Sequence, residues 1–337
     1  MKKIFLILIL FLLSNISYSK IPDSYIDNTE SVNYDKDTNC IYKNFVKKGN
    51  NCFKDGLYKK AIEYYESADA ELNDGKLKQY TLYNLGISYF AIGKYKESQT
   101  TLERCKSLNF SKLLNYEAEI MLVKFGFDTL YNQWIVISKK NINFHFQDTI
   151  GFDVNEWIRN REFAFDTINS FFHAKLPKKI DYFIWTDTKA AESILELEGS
   201  FTLPTFSLTH GRLNDEWGHE LTHSIYYYTG KIKCVNQLIV EGVAVYFQLS
   251  TRDYFSDFKK LTGNDYSIAD IWKSPQNYNW RITYPLGANI VKMLINWKGR
   301  NKFMRLLKNQ TYENAVKIYG NKLVEKINQL KSEMDNL

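Results

Sequence analysis

The chain has 337 residues, of which 45% are hydrophobic and 16% aromatic, so it can bury one large core or two ordinary ones. Its 5 Pro and 16 Gly are too few for a fibrous or largely disordered chain. The formal net charge is +6, but Lys and Arg are mixed with Asp and Glu, and no basic stripe indicates a nucleic-acid partner.

The N-terminus has the pattern of a secretory signal peptide. Lys2-Lys3 precede the apolar run 4–13, and Ser17 and Ser19 occupy the two small-residue positions before a cleavage site. We therefore predict a signal peptide over 1–19, export to a periplasm or out of the cell, and no transmembrane span after cleavage. An uncleaved N-terminal anchor is the alternative interpretation.

Residues 20–40 are polar and irregular and predict a linker, after which the segment 41–128 repeats itself with an offset of 37 residues. The matched positions include Gly49 and Gly86, Tyr58 and Tyr95, Ala61 and Ser98, and Tyr65 and Leu102. This pattern resembles the tetratricopeptide repeat, a helical hairpin of about 34 residues. The resemblance implies an all-α segment that acts either as a groove for a protein partner or as a brace for the following domain.

The remaining part of the chain, 132–337, mixes strand and helix patterns in an α+β order, a small sheet followed by helices. The predicted elements are, in chain order, a strand pair within 134–146, a helix over 154–172, a buried strand over 180–185, a strand over 201–209, and helices over 215–229, 236–249, 284–297 and 322–334.

The strongest chemical signal is the segment His219-Glu220-Leu221-Thr222-His223. On a helix, positions i and i+4 share a face, so the imidazoles of His219 and His223 can bind one Zn²⁺. Glu220 lies beside these ligands and can accept a proton from metal-bound water, whose pKa zinc lowers to about 7. Asn214, Asp215 and Glu216 predict the cap and first turn of this helix, and Gly230 predicts its end.

A catalytic zinc site needs a third protein ligand and an open fourth position. Glu241 is the best candidate, because it is a lone carboxylate in the apolar stretch 238–247, where a charge is costly unless paired or bound to metal. Seventeen residues separate His223 from Glu241, which leaves room for a turn between two helices. Gly242 and Ala244 would let the second helix pack closely against the first.

The His-Glu-Leu-Thr-His motif, followed by a helix that carries Glu241 to Phe247, resembles the gluzincin metallopeptidases, in particular the bacterial peptidase MA-like group. The resemblance is good over the two motif helices. It extends loosely over 133–337 through the preceding strands, a helix start at Tyr284 and a break at Gly299.

The resemblance implies a zincin-like catalytic domain over 132–337 that acts on a peptide or protein substrate. By the same resemblance the zinc ligands are His219, His223 and Glu241, and the catalytic base is Glu220. Many gluzincins place an Asp four residues after the ligand Glu, where it orients a ligand His. That position is Val245 in this chain, so the orienting partner is unassigned.

The hydroxyl of Tyr284 is the first choice for a donor that stabilises the oxyanion of the transition state, and Tyr246 is the second. An ordinary core role is the alternative for both. His210 could contact substrate, although a structural role is the expected one.

The predicted reaction is hydrolysis of peptide bonds by zinc-activated water. One alternative is a catalytically silent zinc-binding module whose repeats bind or scaffold a partner in the cell envelope. The other alternative is hydrolysis of a non-peptide amide, which would share the zinc chemistry and differ in the cleft.

Overall fold

The computed structural model describes residues 36–72, 75–249, 258, 261–262 and 266–335, with side chains from Tyr42 onward. The predicted signal peptide, 1–19, lies outside the described residues. The first helix already begins at Lys36, within the segment 20–40 that the sequence predicts as a linker.

Five helices in antiparallel succession form the N-terminal part, as the repeat pattern predicts for an all-α segment. They are α1 (Lys36–Lys54), α2 (Tyr58–Glu71), α3 (Lys76–Ala91), α4 (Tyr95–Leu108) and α5 (Lys112–Lys124). Two equivalent close contacts hold the hairpins: a Cβ at Gly49 would lie 2.6 Å from the Tyr65 ring, and one at Gly86 would lie 2.7 Å from Cγ of Leu102. The glycines are therefore required where the paired helices approach each other.

Helix α3 is buried on every side. Its residues are buried without interruption from Thr81 to Ala91, which is three turns of helix. Part of this burial comes from Phe206, whose ring centre lies 6.3 Å from that of Phe90 in α3 and 5.0 Å from that of Phe125. No face of α3 is therefore exposed along these three turns.

After the helical segment, the described residues form one five-stranded sheet with the strand order β1-β2-β3-β5-β4. The strands are β1 (Ile135–Ser138), β2 (Ile142–Phe146), β3 (Ile180–Trp185), β4 (Phe201–Leu203) and β5 (Leu208–Arg212). Strands β2, β3 and β5 are parallel, and the two edge strands run antiparallel to their neighbours. Together with the helices this is the α+β architecture that the sequence predicts.

The side chains of the central strand β3 point alternately into two hydrophobic cores, one on each face of the sheet. Ile180, Tyr182 and Ile184 belong to a core formed with the helices that follow the sheet. Phe183 and Trp185 face the opposite way, into a core shared with the helical segment. The sheet is thus covered on both faces, which explains why every residue of β3 is buried.

A buried charge cluster also joins the helical segment to the sheet. Oδ2 of Asp181 accepts hydrogen bonds from Lys178 Nζ and from the hydroxyl of Tyr95 in α4, while Oδ1 lies 3.2 Å from Nε2 of His145. Burial acts to raise the pKa of Asp181, but Lys178 and His145 together hold it below its usual range. The carboxylate therefore stays charged and joins the helical segment to the strand.

The predicted single strand over 201–209 is wrong, because the structure divides it into two strands. Pro204–Phe206 forms a short 3-10 turn, and Ser207 has a φ of 44°. Proline cannot donate a ladder hydrogen bond, so the chain reverses there and β4 pairs back onto β5 as the outer strand.

The remaining helices pack on the sheet and on one another. They are α6 (Val154–Phe172), α7 (Thr188–Leu195), α8 (His219–Tyr227), α9 (Gln237–Tyr246), α10 (Ile268–Lys273), α11 (Trp280–Leu307), α12 (Tyr312–Tyr319) and α13 (Lys322–Asp335). The predicted break at Gly299 is confirmed, since its φ of 74° interrupts α11. Among the described residues, no helix is both long enough and apolar enough to span a bilayer.

Candidate metal centre

The helix that carries the two histidines begins four residues later than the sequence predicts. Asp215 does not cap it, because its Oδ2 instead accepts hydrogen bonds from the backbone N of Arg212 and from the hydroxyl of Ser200. Gly218 lies directly before α8, and its backbone N donates to the carbonyl O of Gln248 over 3.0 Å. A Cβ at Gly218 would lie 2.1 Å from the carbonyl O of Phe247, so only glycine allows this start.

A close contact between two glycines positions Glu241, the third candidate ligand. Helices α9 and α11 cross at Gly242 and Gly287, where a Cβ on Gly242 would lie 2.3 Å from the carbonyl carbon of Gly287. In the opposite direction, a Cβ on Gly287 would lie 2.1 Å from the carbonyl O of Leu238. The two backbones are in direct contact, and the residue beside the crossing is Glu241.

The two helices bring the three predicted ligand side chains together. Nε2 of His219 lies 3.4 Å from Oε2 of Glu241, and Nε2 of His223 lies 3.6 Å from the same oxygen. These side chains are 12–17% exposed, so the cluster is largely shielded but reachable. Among the described residues, this is the one group of His, Cys, Asp and Glu side chains arranged to hold a metal ion.

The separations fit a shared ion better than a direct ion pair. Zinc ligands at roughly 2.1 Å in a tetrahedral arrangement lie about 3.4 Å from one another. In the described part of the chain, Oε2 of Glu241 is buried and has no hydrogen-bond partner, and Nδ1 of His219 has none either. A buried carboxylate oxygen is costly in that state, and a cation between the three side chains would satisfy it.

The charges of the three side chains are strongly coupled. Burial acts to lower the pKa of His219, but the carboxylates of Glu241 and Glu220 outweigh it and raise this pKa to about 9. Burial acts to raise the pKa of Glu241, but His223 and His219 together hold it well below its usual range. A metal ion must therefore displace a proton from His219 at neutral pH.

Glu220 lies beside the cluster and is not one of its members. It is only 8% exposed, and its Oε2 accepts a hydrogen bond of 2.7 Å from Oγ1 of Thr202. Oγ1 of Thr202 also lies 3.0 Å from Oγ1 of Thr209, which links β4, β5 and α8. Sequence reasoning missed Thr202, because no local pattern connects a residue of a three-residue strand to a helix 18 positions later.

The predicted oxyanion donor, Tyr284, lies against the cluster. Its ring is nearly parallel to that of His219, with a centroid distance of 5.9 Å. It lies one turn inside α11. The sequence predicts that this helix begins at Tyr284, but it begins at Trp280, because the Asn279 side chain accepts a hydrogen bond from the backbone N of Arg281 and caps it there. The alternative donor, Tyr246, packs edge-on against Phe247 at a centroid distance of 4.8 Å.

His210, the candidate substrate contact of the sequence analysis, has a structural role. His210 is fully buried; its Nδ1 accepts from Trp185 Nε1 over 3.0 Å, so its Nε2 donates to the carbonyl O of Lys124 over 2.8 Å. Burial lowers the pKa of His210 to about 3, and the ring stays neutral. Val245 is buried and apolar, so it cannot replace the Asp that orients a ligand His in many gluzincins.

No protein-family model matches the chain, and no curated protein matches it.

Proposed function

We propose that this protein is an exported zinc metallopeptidase of the gluzincin type. The observation that carries the proposal is the single oxygen of Glu241 that lies 3.4 and 3.6 Å from the two imidazole nitrogens. Two neutral imidazoles and one carboxylate form a common ligand set for catalytic zinc, with a fourth position left for water.

Bound zinc would supply a Lewis acid and an activated water molecule. His219, His223 and Glu241 would hold the ion. Glu220 would accept the proton of the attacking water on its carboxylate and pass it to the leaving amine. Thr202 would hold that carboxylate in place through its 2.7 Å hydrogen bond, and the hydroxyl of Tyr284 would donate to the oxyanion.

A peptide is the substrate class that the surroundings favour. β4 pairs with β5 on one side, and the described residues place no strand on its other side. The three residues of β4 are partly exposed, and one of them, Thr202, contacts Glu220. An extended peptide can add to such an edge through main-chain hydrogen bonds, which would place its backbone beside the base.

We also infer that α1–α5 are tetratricopeptide-like hairpins and that they support the catalytic part. The equivalent contacts of Gly49 with Tyr65 and of Gly86 with Leu102 support the repeat. The continuous burial of α3 favours the brace over an open groove for a protein partner. The prediction of export depends on the signal-like segment 1–19 alone.

The test is a peptide-library digest by the zinc-loaded protein, with Glu220→Gln and His223→Ala as variants. We expect the wild type to cleave, and phenanthroline or a hydroxamate to inhibit it. Glu220→Gln should bind one zinc ion with wild-type affinity and lose at least about a thousandfold in kcat, because only the proton acceptor is removed. His223→Ala should lose the metal.

Two results would contradict the proposal. A wild-type protein that binds no divalent metal at micromolar concentration would refute the metal centre. A protein that binds zinc but cleaves no peptide in the library would refute the reaction, and would leave the silent zinc-binding module or a non-peptide amide as the function.

A further inference from the structure

Two aromatic side chains lie at the surface where α11 begins. Tyr278 is 37% exposed and Trp280 is 43% exposed. They belong to a run of six exposed residues, 276–281, that leads into α11. Contiguous apolar patches at a protein surface mark interaction sites, whereas single scattered apolar residues need no explanation.

The exposed tryptophan is connected to the metal centre through Tyr284. Trp280 and Tyr284 are four residues apart on α11 and therefore share a face. Their ring centres are 5.6 Å apart, and those of Tyr284 and His219 are 5.9 Å apart. The indole thus lies at most about 12 Å from a candidate ligand, which an extended peptide spans in three to four residues.

We propose that Trp280, with Tyr278 beside it, binds an aromatic or large aliphatic side chain of the substrate within four residues of the cleaved bond. This inference rests on the proposed peptidase function and adds a preference to it. Although Tyr284 and Arg281 contact its ring, Trp280 is still 43% exposed, so part of its apolar surface is open to solvent. Its flat face suits a ring or a branched aliphatic group, and such contacts bury much area at a low entropic cost.

The positive charge of Arg281 limits which substrate side chains can bind to Trp280. The Arg281 guanidinium lies 5.4 Å from the centre of the Trp280 ring, close enough for a cation–π contact. A cationic substrate side chain would compete with this guanidinium for the ring and be repelled by it. The site should therefore prefer apolar side chains and reject Lys and Arg.

Binding and cleavage can be measured separately. A panel of short peptide hydroxamates carries Phe, Leu, Lys or Ala at each of the four positions nearest the hydroxamate, and dissociation constants are measured on the zinc-loaded protein. A matching peptide panel gives kcat/KM. The variants are Trp280→Ala, Trp280→Phe, Tyr278→Ala and, as a control, Phe110→Ala, which removes an aromatic ring with the same 43% exposure from the helical segment.

At one position, Phe and Leu should bind and react about tenfold better than Ala in the wild type, and Lys should do worse than Ala. Trp280→Ala should abolish this preference, so that Phe, Leu and Ala peptides bind and react equally well with the variant, while Trp280→Phe should restore most of it. Tyr278→Ala should reduce it, and Phe110→Ala should retain it in full. Zinc content and thermal unfolding of each variant verify that it is folded.

The inference is overturned if the wild type shows no preference at any of the four positions, or if Trp280→Ala retains the wild-type preference. These results differ from a failure of the peptidase function. A protein that hydrolyses nothing, yet binds the Phe hydroxamate more tightly than the Ala one in a Trp280-dependent way, would refute the reaction and support the binding site.

Discussion

Replacing Gly242 with alanine should push α9 away from α11 and weaken metal binding. The new Cβ would lie 2.3 Å from the carbonyl carbon of Gly287, whereas ordinary van der Waals contact begins near 3.4 Å. No side-chain rotation can relieve a contact with backbone, so the helices must separate by about 1 Å. Alanine gains about 1 kcal/mol of helix propensity, but overpacking against backbone costs about 2–3 kcal/mol, and the net effect is destabilising.

The effect on the metal should exceed the effect on folding. Glu241 adjoins the crossing, and a shift of about 1 Å is several times the roughly 0.2 Å by which metal–ligand distances vary. We expect zinc affinity to fall at least tenfold in Gly242→Ala, measured by competition with a chromogenic chelator. Thermal unfolding of the metal-free protein should give a loss of about 1–2 kcal/mol.

A matched variant separates the two effects. In Gly86→Ala the new Cβ would meet Cγ of Leu102 at 2.7 Å, which is a similar overlap within the helical segment. This variant should lose stability and retain wild-type zinc affinity. If Gly242→Ala binds zinc as tightly as the wild type does, the argument that this crossing positions the ligand is refuted.

Three further outcomes are expected. The pKa of His219 is raised to about 9, so its ring is protonated below this pH and must lose the proton to bind zinc. Apparent zinc affinity should therefore rise up to tenfold per pH unit between about 7 and 9, measured by chelator competition at several pH values. Thr202→Val removes the hydrogen bond to Glu220 and should lower kcat about tenfold at unchanged zinc affinity, measured in the peptide assay. Lys178→Met leaves the buried carboxylate of Asp181 without its main counter-charge and should cost about 3 kcal/mol in denaturant unfolding.

Each of these outcomes has a control. A zinc affinity that does not change with pH would contradict the protonated state of His219. Thr202→Ser retains the hydroxyl and should retain kcat; a loss as large as that of the valine variant would show a steric cause. Lys231→Met breaks an exposed ion pair with Asp55 and should change stability by less than about 0.5 kcal/mol.

The elements with strong local signals were predicted at the positions where they occur. The helix Val154–Phe172 and the strand Ile180–Trp185 have the predicted bounds. The helix begins at an Asp153 side chain that accepts from the backbone N of Glu156, and the strand has hydrophobic residues at every position except Asp181, with no competing helical period. Both signals depend on neighbours in the chain, which a sequence displays directly.

The start of α8 was predicted wrongly for a physical reason that lies outside its own segment. Asp is a residue type that often caps helices, but the carboxylate of Asp215 accepts hydrogen bonds from the backbone N of Arg212 and the hydroxyl of Ser200 instead. The helix then starts at His219, against the end of α9. A capping side chain has several possible partners, and the folded chain decides among them.

The candidate ligand residues could be predicted from the sequence, because two of them have a local spacing and the third is costly to bury without a partner. The i, i+4 spacing of His219 and His223 puts both imidazoles on one face of any helix, and a lone Glu241 in an apolar helix needs a partner. Those facts hold in every fold that this sequence could adopt with these helices intact.

The tertiary structure alone decided what surrounds the ligands. The crossing at Gly242 and Gly287, the hydrogen bond from Thr202 to Glu220, and the burial of α3 from Thr81 to Ala91 all join segments that no sequence period relates. Each depends on how two elements pack, and packing is set by the whole core at once. The sequence therefore determined which side chains could hold a metal, and the three-dimensional packing determined that they meet.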